Sequence, residues 1–163
     1  MTHPEPTFIR PAQPADRDAL IAILHNTFER TWLPQLTASA AEAYRQGDRP
    51  AEYIDARGLE FRVAMRGGVV AGFVHWEGDF VHALHVHSDH ERTGVGSALM
   101  DVAEGEMARA GHPTARLETD TFNTRSQAFY TARGYVETDR YPDLEWNSNL
   151  TTLLLEKGLD KQT

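Results

Sequence analysis

Three groups of residues have types and spacings that suit chemistry. The first is the run Glu91-Arg92-Thr93-Gly94-Val95-Gly96. It follows a strand-like stretch and opens a helix-like one. Helix N-termini carry unpaired N–H groups and a partial positive charge, which suits phosphate. Glycines at 94 and 96 let a phosphate approach the backbone, and Arg92 adds a mobile cation. The second group is Glu118, Asn123, Ser126 and Tyr130: a carboxylate on a strand-like stretch, then a short helical segment with Asn123 at its cap position. The third is the histidine-rich stretch His75, His82, His85, His87 and His90, with Glu77 among them. Imidazole serves as base, contact or metal ligand. A zinc site usually wants a defined set of three or four ligands, which these residues do not spell out, so no metal is expected.

Two familiar nucleotide loops do not fit the glycine run. A dinucleotide loop needs G-x-G-x-x-G, but position 99 is Leu. A P-loop needs G-x-x-x-x-G-K-[ST], which the chain lacks.

A longer pattern does fit. Leu84-His85-Val86, Glu91, Gly94-x-Gly96 and Ala98-Leu99 resemble the cofactor motif of the GNAT superfamily of acyl-CoA N-acyltransferases. That motif usually reads Gln/Arg-x-x-Gly-x-Gly/Ala, so Glu91 departs from it. A second signature follows in order: Leu117-Glu118, Asn123, Phe129-Tyr130 and Arg133-Gly134-Tyr135. The opening Ile9-Arg10-Pro11-Ala12 is similar in style. The resemblance spans nearly the whole chain and implies acetyl-CoA as co-substrate. The pantetheine arm would pair with the backbone of Leu84, His85 and Val86. The pyrophosphate would sit on the N–H groups of Glu91, Arg92, Thr93, Gly94, Val95 and Gly96. Asn123 would touch the cofactor arm, with Ser126 beside it, and Tyr130 would point its hydroxyl at the sulfur.

The resemblance also implies transfer of acetyl to a primary amine of a small molecule or peptide. An amine of pKa ~10 is protonated near neutrality and must lose a proton before attacking a thioester. Glu118 is the candidate base and Tyr130 the candidate acid. The Val86 N–H is placed to receive the oxyanion. His82 and His85 are candidates for base or substrate contact, with Glu77 and Trp32 as further substrate contacts. The chain has no cysteine, so direct attack in a ternary complex is expected. Two other readings use the same residues: a non-catalytic acyl-CoA-binding regulatory module, and an acetyltransferase acting on protein N-termini or lysines.

The elements that must position these groups follow from periodicity. Residues 8–10 read as a strand, residues 15–28 as a helix broken at Pro34, and residues 38–46 as a second helix. Strands at 61–65, 69–76 and 80–87 form a meander with turns at Gly67-Gly68 and Gly78-Asp79. A helical stripe from Val95 to Ala110, a strand at 115–119, a helix at 124–133 and strands at 135–141 and 150–156 complete the order. The expected fold is α/β and GNAT-like: a mixed, largely antiparallel sheet of about seven strands flanked by about four helices.

One domain over residues 1–163 is expected, with 1–6 as a flexible tail. The net charge of −8 argues against a nucleic-acid partner. No apolar run approaches a membrane span, no leader is expected, and a cytoplasmic location is the default. Family members often pair through their C-terminal strands, so a homodimer is also expected.

Overall fold

The computed structural model describes residues 6–143 and 150–159. Most of the expected tail, residues 1–5, and most of the polar loop before the last strand, residues 144–149, lie outside them. The strands are β1 (Thr7–Pro11), β2 (Arg62–Arg66), β3 (Val69–Glu77), β4 (Phe80–Val86), β5 (Thr114–Asp120), β6 (Val136–Pro142) and β7 (Thr151–Gly158). The helices are α1 (Arg17–Thr31), α2 (Ala38–Gln46), α3 (Arg49–Arg57), α4 (Val95–Arg109) and α5 (Thr124–Ala132). The sheet order is β1-β2-β3-β4-β5-β7-β6, and every neighbouring pair is antiparallel except β4 with β5.

The two tight hairpins form as expected. Gly67 and Gly68 take φ values of 61° and 79°, a left-handed pair that joins β2 to β3 with little steric cost. Alternation then sends neighbouring strand residues to opposite faces. Phe73 joins Phe61, Leu20, Ile23 and Ile54 beneath α1 and α3, while Val74 joins Leu99, Met100 and Leu117 beneath α4. Tyr130 of α5 belongs to the second cluster. Helices therefore cover both faces, and the parallel β4–α4–β5 unit brings its loops to one edge of the fold.

The described residues hold five α-helices rather than about four. The addition is α3, whose sequence RPAEYIDAR is mostly polar. Its signals are local: Asp48 accepts the Ala51 N–H at 3.4 Å, and Pro50 stands in the first turn. Only Pro50, Ala51 and Ile54 are buried, too few for a strong apolar stripe. Among the described residues no helix is long and apolar enough to cross a membrane.

Candidate active site

β4 and β5 run together only at Phe80↔Arg116 and Val81↔Leu117. Beyond Val81 no residue of β4 pairs with β5, and residues 83–86 pair with β3 alone, so the sheet opens into a cleft of about 880 Å³. The His87 N–H donates to Ala71 O at 2.9 Å, on the β3 side. Alternation along an antiparallel pair then turns the N–H and C=O of Leu84 and Val86 the other way, into the gap. Gly72 makes the close β3–β4 approach there: a Cβ would stand 2.6 Å from His85 O.

The glycine run sits at the mouth of this gap. Arg92 and Gly94 both take left-handed backbones, with φ of 61° and 85°. The Thr93 hydroxyl donates to His90 O and pins the turn. None of the N–H groups of residues 92–97 donates to a backbone carbonyl among the described residues. Concave runs of such amides bind anions. The Glu91 N–H instead turns back to Ser88 O at 3.4 Å, so the free run begins at Arg92. The Glu91 carboxylate pairs with Arg30 of α1 at 3.4 Å and with Arg125 of α5 at 3.2 Å. Beyond it, Gly96 faces Val86 and the Phe129 ring.

The helix expected from residue 15 onward is α1, but sequence reasoning missed that it holds this loop in place. α1 meets it at three successive points. Asn26 exchanges two 3.0 Å hydrogen bonds with Ser88. The Thr27 hydroxyl lies 2.8 Å from His85 Nδ1, and Arg30 reaches Glu91. The spacing 26, 27, 30 on a helix face was the available signal.

On the other wall, Asn123 caps α5 by accepting the Ser126 N–H at 3.1 Å, and the Ser126 and Thr119 hydroxyls lie 2.8 Å apart. Tyr130 lines the cleft with its ring packed against Phe129 and Tyr135. Its hydroxyl makes no hydrogen bond among the described residues, and burial pushes its pKa up. Glu118 also lines the cleft, where it accepts a hydrogen bond from the Tyr141 hydroxyl. Burial, and then this bond, push the Tyr141 phenol up to about 12.

The histidines divide. His87 accepts the Asp89 N–H at 3.1 Å, and His90 lies 3.3 Å from Arg66, so both belong to the loop's own packing. His75, His82 and His85 line the cleft. Burial lowers the His85 pKa to about 4, so this ring is neutral near pH 7, with Thr27 at one nitrogen. His75 is 2% exposed; its Nδ1 lies 2.5 Å from the Tyr53 hydroxyl, and its Nε2 has no hydrogen-bond partner among the described residues.

Glu77 stands between the rings, 3.5 Å from His75 Nε2 and 3.4 Å from His82 Nε2. The fold adds Glu60 to the His75–Glu77 pair that strand spacing already supplies, with potential ligand atoms within 4.8 Å of one another. Arg57 already supplies positive charge there, at 3.2 Å from Glu60 and 3.1 Å from Glu77. Trp32 also lines the cleft, edge-on to Phe122 at 5.3 Å.

A strand gap, an amide-lined turn at its mouth and a buried phenol at its wall form one continuous site. The chain belongs to the acetyltransferase (GNAT) family, whose family model matches residues 18–135. No curated protein matches the chain. Among solved structures, it is similar to the GCN5-related N-acetyltransferase of Rhodopseudomonas palustris: 24% identity, TM-score 0.79, over 98% of this chain and 99% of that one. The PaiA N-acetyltransferase of Thermoplasma acidophilum, in complex with coenzyme A, is 19% identical at TM-score 0.73 over 94% and 99%. The yncA protein of Salmonella typhimurium, with its cofactor acetyl-CoA, is 20% identical at TM-score 0.70 over 96% of each chain. These likenesses show the fold.

Proposed function

We propose that the protein transfers acetyl from acetyl-CoA to a primary amine, by direct attack within a ternary complex. The observation that carries this reading is the gap between β4 and β5, which ends on the free amides of residues 92–97 and is walled by Tyr130. The unpaired backbone of Leu84 and Val86 suits an amide-containing arm laid along β4, and the turn suits a pyrophosphate. Two of the similar structures carry coenzyme A or acetyl-CoA, which agrees with this donor.

The chemistry follows from the walls. The Val86 N–H, facing the gap, is placed to stabilise the oxyanion. Tyr130 is held protonated by burial, so it acts as a hydrogen-bond donor to the departing sulfur rather than as a strong acid. Asn123 and Ser126 line the donor arm from α5. Glu118, read from sequence as a base, shares its carboxylate with Tyr141 and offers negative charge to a cationic acceptor. Trp32 would shape the acceptor side. β6, with its outward side chains exposed, leaves a sheet edge suited to pairing with a second copy.

The test is calorimetric titration with acetyl-CoA, then detection of free thiol across a panel of small amines, polyamines, amino acids and peptides. Micromolar binding and amine-dependent thiol release are expected. Absence of acetyl-CoA binding overturns the proposal. Binding without release on any amine leaves a non-catalytic acyl-CoA module instead.

A further inference from the structure

The β4 strand carries one residue too many. His75 of β3 pairs with Ala83 and Trp76 with Val81, so His82 is left over as a bulge. A bulge re-aims a side chain and is frequent beside active sites. Its effect here is visible in the packing: Val81 faces the α4 core, while Ala83, two residues on, faces the α1 core. His82, the residue at the switch, is 41% exposed in its side chain and lines the cleft.

We infer that His82 is the base that deprotonates the acceptor amine, and that Glu77 is the positioning residue that orients it. This rests on the proposed acetyl transfer. His82 Nε2 lies 3.4 Å from Glu77 Oε2, an ion-pair distance, which leaves Nδ1 as the ring nitrogen turned away from the carboxylate and open to the acceptor's proton. Glu77 is held from behind by Arg57 at 3.1 Å and by the His75 ring, itself anchored on Tyr53. The charged and titratable groups around His82 are therefore Glu77 and His75 on β3, Arg57 on α3, and Glu60 just beyond it.

The other cleft residues serve this step less well. His75 is buried, and burial followed by the nearby His82 lowers its pKa. His85 has its ring against Thr27 and is held neutral. Glu118 shares its carboxylate with the Tyr141 hydroxyl.

The step balances as follows. R–NH3+ gives one proton to His82 Nδ1. The freed amine attacks the thioester carbon, forming C–N, and the C–S bond breaks with its electron pair going to sulfur. The second proton shed by nitrogen reaches that sulfur through the Tyr130 hydroxyl, and the His82 proton passes to water. The products are the amide, the free thiol and one proton.

The test is the pH profile of amine-dependent thiol release in the wild type, H82Q, E77Q and E118Q, alongside acetyl-CoA titration of each. H82Q should lower kcat/KM about 100-fold near neutrality, with the deficit narrowing as pH rises and more amine is already neutral. E77Q should lower kcat about tenfold while leaving KM for the amine within about threefold of wild type, because the ring loses the carboxylate that orients it. Acetyl-CoA affinity should stay within about threefold of wild type in each, since these side chains lie away from the phosphate turn. If H82Q keeps the wild-type acid limb, or if E118Q removes it instead, His82 is not the base. If E77Q leaves kcat unchanged, or raises KM alone, the positioning role of Glu77 is overturned. Failure of the underlying reading shows differently, as wild-type protein that releases no thiol on any amine.

Discussion

The Glu104 carboxylate of α4 lies 2.5 Å from the Lys157 ammonium of β7, and Glu104 is only 8% exposed. Its other oxygen takes Arg133 at 3.1 Å and the Tyr135 hydroxyl at 3.0 Å. Four elements or their ends thus meet on one anion. Removing one partner of a buried pair costs about 3–5 kcal/mol, because the remaining charges stay desolvated. Glu104→Gln should therefore destabilise the protein by about 3 kcal/mol in urea unfolding. A change below about 1 kcal/mol would mean that Arg133 and Lys157 find water instead.

A second pair predicts a pH effect. Arg10 of β1 grips Asp16 through two 2.8 Å bonds, and the Gln13 N–H adds a third. The Arg10 bonds, and then the Gln13 amide, hold the Asp16 carboxyl below its usual pKa. A lowered folded-state pKa contributes stability that is full above the unfolded value of about 3.9 and is lost as pH falls through the folded value. Asp16→Asn should therefore be less stable than wild type by about 1–3 kcal/mol at pH 7, a range typical of charged hydrogen bonds. The gap should close on acidification below about pH 4. Urea midpoints of both proteins between pH 7 and pH 2 give this difference directly, and a gap independent of pH would contradict it.

Tyr130→Phe separates chemistry from packing. The hydroxyl makes no hydrogen bond among the described residues, so its loss should shift stability by less than about 1 kcal/mol. Acetyl-CoA binding should be unchanged. Turnover should fall about 100-fold, within the range for a positioned proton donor. Normal turnover would remove Tyr130 from the mechanism.

The glycines of the turn should differ from each other. A Cβ at Gly96 meets Phe129 at 3.6 Å and Val86 at 3.7 Å, ordinary contacts, so Gly96→Ala should bind acetyl-CoA with little loss. Gly96→Leu must drive branched bulk toward those groups and into the gap, and should weaken binding at least 100-fold. Gly94 has open space but φ of +85°, so Gly94→Ala should cost about 1–2 kcal/mol of stability through backbone strain. Calorimetry on the three variants and thermal melts of Gly94→Ala check this ordering.

Much of the frame was legible in the sequence because its signals are local. The Gly67-Gly68 turn and the apolar stripe of α4 each specify an element without knowledge of the rest. Helix α3 escaped because its apolar stripe is short and its cap was overlooked. The site was legible only in part. The sequence points to amides from Glu91 to Gly96, whereas the Glu91 N–H turns back to Ser88 O and the run starts one residue later. The place of His82 beside Glu77 depends on a bulge, and no residue of β4 signals where register slips. Nor does the chain reveal that Tyr141 reaches Glu118 across β7, because that contact is set by the strand order β5-β7-β6.

The parting of β4 from β5 has a cost that the rest of the molecule contains. An unpaired strand flank is a template for any other extended chain, and such edges invite aggregation. Here the flank is five residues long, residues 82–86, and it lies within the fold rather than at its rim. α1 fastens it on one side through Asn26, Thr27 and Arg30, and α5 stands on the other. A foreign strand would need a slender, flexible shape with amides at the right pitch to enter. The same enclosure that guards the chain against sticking to its neighbours therefore acts as a sieve for what it admits.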